Sequence, residues 1–190
     1  MSEKWLYGAS VQGIQGYIFQ TNKLKDVIGA SELVKELCET DFKREFALTG
    51  SVEYIVKAAG NIKLILDSEE DCKRIVFQFP KYAMEKAPGI TLSQAVVKCE
   101  SDDKMNEARQ KLEERLRAQR NRPCKSLTLG SVAMHRSPLT GLPAIPRKDG
   151  EVLDEGVLRK REILDENNVN KTLFAQWFKK NADDSITIPG

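Results

Sequence analysis

Two β-prone runs, VEYIVKA and IKLILD, are separated only by the tripeptide AGN, with helical periodicity on either side. Gly60 and Asn61 both tolerate positive φ, so Val52 to Asp67 reads as one hairpin. An isolated hairpin is marginal in water, so the flanking segments must supply further strands and a helix layer.

The segment before the hairpin supplies both. Tyr7, Val11, Ile14, Tyr17, Ile18 and Phe19, interleaved with Gly8, Gly13 and Gly16, predict a buried strand with an irregular middle and close backbone approach. From Leu24 to Phe46 the apolar residues fall at helical spacing. Gly29 disfavours a helix interior by about 1 kcal/mol, so the helix is expected to kink or restart at GAS, with Ser31 as its cap. After the hairpin, SEEDCKRIVFQFPKYAMEKAPG puts Cys72, Ile75, Val76 and Phe79 on one helical face and should end near Pro80 or Pro88. Its acidic start, Asp67 to Asp71 with Ser68 among them, reads as a capped helix N-terminus. ITLSQAVVKC follows as a strand of parallel or central type, because it is apolar with little alternation. The predicted order is βαββαβ.

Residues 102–122 form the most regular helical pattern, with Met105, Ala108, Leu112 and Leu116 as its stripe and Glu107–Lys111 and Glu113–Arg117 as i,i+4 pairs. The next stretch, to Glu151, holds four of the seven prolines and reads as an ordered loop. A last helix is expected from Asn170 to Lys180, carrying Trp177 and Phe178. The division that follows is residues 1–125, a domain with its long amphipathic helix, and 126–190, a proline-rich loop and C-terminal helix. The ending DDSITIPG suggests a cut before a following domain.

Composition narrows the function. The chain is 41% hydrophobic and 31% charged, with a net charge of +2, which argues against an electrostatic grip on nucleic acid by the whole surface but leaves local patches open. No apolar run reaches the roughly 18 residues of a membrane helix, and the N-terminus lacks a secretory apolar core, so a cytoplasmic protein without a membrane partner is expected. Cys38, Cys72, Cys99 and Cys124 include no CxxC pair and read as reduced thiols. His135 is the only histidine, so neither a zinc set nor a catalytic triad is legible.

The glycine-rich opening matches neither GxGxxG nor GxxxxGK[ST]. What could hold a phosphate is QTNKLKDVIGAS, through backbone amides, Thr21, Ser31, Lys23 and Lys25; the plainer alternative is a capped helix with solvated lysines. Two-metal phosphoryl chemistry needs carboxylates at the hairpin tip or on the first strand. The tip is Ala58 to Asn61 and the strand offers Ser10 and Gln12, so no catalytic and no metal-ligating residue is assigned. Arg115, Arg117, Arg120, Arg122 and Lys125 could meet a phosphate backbone or simply be a solvated helix end.

Taken together, GIQGYIF, TNKLKDVIGAS and the AAGN hairpin resemble the first palm domain of the large polymerase-like subunit of type III CRISPR effector complexes. The resemblance covers about Tyr7 to Glu100, and LTGLPA looks like the remnant of a treble-clef zinc element. It implies an α+β, ferredoxin-like βαββαβ palm of the GGDEF or adenylyl-cyclase kind, helices on one face of an antiparallel sheet, with extra C-terminal helices. Because aspartates are missing at Ser10 and at the tip, it implies the non-catalytic palm, which completes an ATP pocket for cyclic oligoadenylate synthesis in antiviral defence. Gln15, Thr21, Lys23, Lys25, Gly29, Ser31, Gly60 and Asn61 would lie near the nucleotide. ATP is then the expected ligand, Mg2+ arrives only with a second palm, and no zinc is expected, since Met134, Arg136 and Pro138 stand where thiols would. The implied partners are that second palm, other effector subunits and RNA through the complex. Two other readings stand beside this one: a scaffold docking through Trp177 and Phe178, and an RNA-binding ferredoxin-like domain using the Arg115–Lys125 patch, against which the lack of aromatics in IKLILD counts.

Overall fold

The computed structural model describes residues 3–122, 135–146 and 150–166. The chain divides into two compact units, one of residues 1–14 and 34–132, the other of 15–33 and 133–190. The expected helix at Asn170–Lys180, with Trp177 and Phe178, and residues Cys124, Lys125 and Met134 lie outside the described residues.

The first unit is built on a four-stranded antiparallel sheet in the order β2-β3-β1-β4, from β1 (Lys4–Gln12), β2 (Val52–Ala58), β3 (Asn61–Leu66) and β4 (Thr91–Cys99). β1 is flanked on both sides and is buried along most of its length, which is why it reads as apolar and small rather than alternating. β4 is an antiparallel edge strand, not the parallel or central one expected. Its inward positions Ser93, Ala95, Val97 and Cys99 alternate with more exposed neighbours, a pattern that Val96 and Leu92 hide in the sequence.

The two faces of β1 take different covers. Leu6 joins Ala95, Val97 and Cys99 against Ala108, Leu112 and Leu116 of α5 (Met105–Arg120). A Cβ at Gly8 would lie 3.0 Å from Leu116 Cδ1, so the glycine lets α5 settle onto the strand. Tyr7 points the opposite way, to an aromatic cluster of Phe42 from α3 (Phe42–Glu45) with Phe46, and Phe79 and Tyr82 from α4 (Glu69–Lys86). Helices therefore cover both faces of the sheet. The long amphipathic helix, expected to extend the palm with its charged side toward solvent, closes the second face with its apolar stripe, and Glu113 pairs with Lys63 of β3 instead of with Arg117.

α4 starts as its sequence predicts, with Ser68 accepting from the Asp71 amide at 3.2 Å, and runs past Pro80 to Lys86. Asp71 does more than favour a helix start. It is 1% exposed and accepts from the amides of Thr49 and Gly50 at 3.0 and 2.7 Å, tying the loop before β2 to α4. Burial pushes the Cys72 thiol up to about 11, consistent with an inert core thiol.

The second unit contains the first part of α2 (Leu24–Glu39), the hairpin β5 (Ala144–Pro146) and β6 (Val152–Asp154), and α6 (Glu155–Glu166). The sequence reading has no helix at α6, although Asp154 marks its start by accepting from the Val157 amide at 3.1 Å. Val157, Ile163 and Leu164 are its buried apolar residues.

Two local expectations are corrected. The first strand stops at Gln12, because Gly13 takes φ +61° and Ile14–Ile18 turn into a short helix, α1, that buries Tyr17. α2 passes through Gly29-Ala30-Ser31 without a break, so Ser31 is no cap; its hydroxyl donates to the Val27 carbonyl at 3.0 Å.

Candidate functional site

At the hairpin end of the first unit the two central turn residues are Ala59 and Gly60, at φ +52° and +77°, not Gly60 and Asn61. Both are in the left-handed region that a two-residue hairpin of matching twist requires. Gly60 is closed in: its carbonyl accepts from the Val11 amide at 2.7 Å, and a Cβ would fall 2.4 Å from Ile14 Cδ1. Asn61 faces Ser10 in register. Ser10 Oγ donates to Asn61 Oδ1 at 3.0 Å, and Asn61 Nδ2 donates to the Ala59 carbonyl at 3.2 Å. The end of the sheet is thus a neutral hydroxyl–amide pair, with no carboxylate to draw a divalent cation. Among the described residues no group of three or more His, Cys, Asp or Glu side chains is arranged to hold a metal ion.

In the second unit the junction Gln15–Ser31 carries a network of charges beside buried apolar residues such as Ala30 and Leu33. Asp26, 1% exposed, accepts from Thr21 Oγ1 at 2.8 Å and from Arg161 Nε at 2.8 Å. Arg161 Nη1 donates to Glu151 at 2.5 Å, and Lys23 Nζ reaches the same carboxylate at 3.3 Å. Burial opposes the Arg161 charge, yet the hydrogen bonds it donates to Asp26 and Glu151 hold its pKa above the ordinary value. Lys160 is fully buried; its ammonium donates to the Tyr17 carbonyl at 2.8 Å and to Gln20 Oε1 at 2.9 Å, and lies 4.2 Å from the centre of the Tyr17 ring. Burial lowers the Lys160 pKa, with Asp154 and Asp26 opposing, and burial raises the Tyr17 phenol well above its usual value. Among the described residues Tyr17 Oη and Arg161 Nη2 are buried without a hydrogen-bond partner.

The residues predicted to lie near a nucleotide therefore divide by role. Gln15 and Lys25 are exposed, and Lys23 is partly exposed on Glu151. Thr21 and Ser31 have their hydroxyls engaged within the unit, and Gly29 is a packing glycine, since a Cβ there would lie 1.7 Å from the Lys160 carbonyl oxygen. Gly60 and Asn61 belong to the other unit and maintain the hairpin turn. Sequence reading missed Asp26, Glu151, Lys160 and Arg161. The helical spacing of Val157, Ile163 and Leu164 behind Asp154 could have located α6, but no pattern announces that the lysine between them is buried.

Around Leu139–Ala144 the described backbone folds as a turn, with Ser137 and Leu142 bonded and Arg136 donating to the Gly141 carbonyl at 2.9 Å. His135 is exposed nearby.

The class that these observations define is an α+β protein with a four-stranded antiparallel sheet and no helix among the described residues long and apolar enough to cross a membrane. No family model and no curated protein matches the sequence. The structural neighbours are Csm1–Csm4 cassettes of type III CRISPR complexes, the family that the opening segment resembles. The apo cassette matches at 15% identity with a TM-score of 0.41, the complex with cA3 at 17% and 0.45, and the complex with AMPPNP at 16% and 0.41. Each match covers 62% of this chain, which spans only 18–19% of the length of those chains.

Proposed function

We propose that this chain is the first, catalytically degenerate palm of a type III CRISPR polymerase-like protein, a ferredoxin-like βαββαβ domain that helps form the ATP pocket for cyclic oligoadenylate synthesis. The observation that carries the proposal is the Ser10–Asn61 pair at 3.0 Å; on this reading the two residues take the positions at which a metal-binding palm of that family would carry aspartates. A hydroxyl and an amide offer hydrogen bonds to a nucleotide but cannot hold two divalent ions against a triphosphate. The metal and the bond-making step would come with a second palm outside this chain. Other effector subunits are the further partners of this reading, and residues 1–125 its palm.

On the second unit, Gln15, Lys23 and Lys25 are the side chains that reach solvent and supply donors and charge for phosphate. Thr21, Gly29 and Ser31 support them from within. Calorimetric titration of ATP, with and without Mg2+, into the chain and into Lys23→Ala/Lys25→Ala tests the assignment. Binding should occur without the metal and weaken about tenfold or more in the double variant. Absent binding, or equal binding by both proteins, removes the nucleotide-pocket claim.

The scaffold reading has one observation of its own. Phe19 and Leu24, 68% and 58% exposed, flank the same junction, as an apolar pair covered by a protein partner would. Phe19→Ala/Leu24→Ala should then abolish a nucleotide-independent association while leaving ATP binding unchanged. An association that survives both substitutions sinks the scaffold reading.

A further inference from the structure

A cleft of about 680 Å³ opens in the first unit where the end of α5 overhangs edge strand β4. Its floor is Gln12, Thr91 and Ser93; its wall is Gln119, Arg120 and Arg122. A hollow of about 440 Å³ continues it along the strand, sharing Val76, Gln94 and Gln119 and adding Arg115, whose guanidinium donates to the Val96 carbonyl. The charged residues lining this continuous groove are three arginines, and none is acidic. In a chain with 30 basic and 28 acidic residues that is a local segregation of charge. The hollow at the other end of α5 shows the contrast: it is lined by Lys98, Lys104 and Lys111 together with Glu100 and Glu107, and is self-neutralising.

The groove's length and surroundings narrow the ligand. Arg115 and Arg120 stand five residues apart on α5, about 7.5 Å along the axis, more than one phosphate group occupies. Next to the groove residue Val76 on α4 is Phe77, 81% exposed, the most exposed large apolar side chain among the described residues. Arginines along a groove, with an exposed aromatic one residue along α4 from a lining residue, are the parts with which proteins hold single strands: cations on the backbone and a ring face for a base. We propose that this groove binds single-stranded RNA through its phosphodiester backbone, with Arg115, Arg120 and Arg122 on the phosphates and Phe77 stacked on a base. The groove presents amide and hydroxyl side chains but no arrangement that selects one base, so the binding is tolerant of sequence.

Fluorescence anisotropy with a labelled single-stranded oligouridylate of about 12 nucleotides, measured on the whole chain across about 50 to 200 mM salt, tests this. Arg120→Ala/Arg122→Ala should weaken binding at least tenfold and reduce the slope of log K against log salt by about 1.4, two phosphate contacts' worth. Phe77→Ala should weaken it by roughly tenfold with the salt slope unchanged. All three substituted side chains are exposed, so unchanged thermal melts will show the variants folded. No binding at the lowest salt, or equal affinity in either variant, overturns the proposal. Displacement of the oligonucleotide by an equal concentration of ATP also overturns it, since the groove would then be a site for free nucleotide phosphate.

Discussion

Each unit has its own internal balance of apolar packing and buried charge. In the first, Leu6 and Tyr7 send β1 into two apolar layers, one of aliphatic residues under α5 and one of aromatic rings under α3 and α4. In the second, the buried residues of the Gln15–Ser31 junction and α6 include Asp26 and Arg161, which pair with each other, and Lys160, which donates to the Tyr17 carbonyl and to Gln20. Apolar layers tolerate adjustment, because a displaced methyl finds other methyls. A buried charge network does not, since each member is costly once its partner is gone.

Removal of one carboxylate from each unit should show this most strongly. Asp26→Ala removes the buried acceptor of Arg161 Nε and of the Thr21 hydroxyl, leaving the guanidinium only Glu151, and should cost about 3–5 kcal/mol. Asp71→Asn in the first unit keeps one oxygen for the Thr49 and Gly50 amides and should cost about 1–3 kcal/mol. Urea denaturation of both variants reads the difference, and equal losses would erase the distinction between the units.

The close-approach glycines give the next contrast. Gly29→Ala drives a methyl to within 1.7 Å of a backbone oxygen that cannot yield unless α6 shifts, and should cost more than about 3 kcal/mol. Gly8→Ala meets the end of the flexible Leu116 side chain at 3.0 Å and should cost about 1 kcal/mol. Thermal melts suffice to rank them.

Lys160 makes the second unit sensitive to alkaline pH. Burial lowers its pKa from 10.5, so between the lowered value and 10.5 the unfolded chain carries a proton that the folded one does not. Stability therefore rises with pH across that window. The buried Cys72 thiol, raised from 9.0 to about 11, and Tyr17, raised from 10.0, work against this contribution above those values. Lys160→Met should abolish the rise in melting temperature on the way to a pH of about 10; a rise that persists would assign it to another group.

The smallest effect belongs to the hairpin. Ala59 sits at φ +52°, where a side chain with a Cβ is strained, so Ala59→Asn should stabilise the first unit by about 0.5–1 kcal/mol. Chemical denaturation would detect this, and a loss of stability would show that the turn geometry is not what limits the hairpin.

The elements that could be read in the sequence are those whose signal is local. The hairpin is announced by Gly60, α4 by Ser68, and α5 by the spacing of Ala108, Leu112 and Leu116. The absence of carboxylates from the sheet end was equally legible, since Ser10 and Asn61 need only be placed in strands to be compared. The edge position of β4 was not, because an edge is a relation among strands rather than a property of one. The break expected at Gly29 and the cap expected at Ser31 were misread for the same reason. A glycine two residues before a serine looks like a break and a cap until another segment is seen packed against the glycine.

The sequence alone determined the alternation of strands and helices, the neutral sheet end and the basic end of α5, because periodicity, turn chemistry and charge are carried within a few residues of one another. Tertiary structure alone decided which strand lies at the edge, that α5 covers the second face, and that Lys160 is buried against Tyr17 and Gln20, 143 and 140 positions away. Burial of a charge depends on partners that are distant in the chain, and no local pattern can name them.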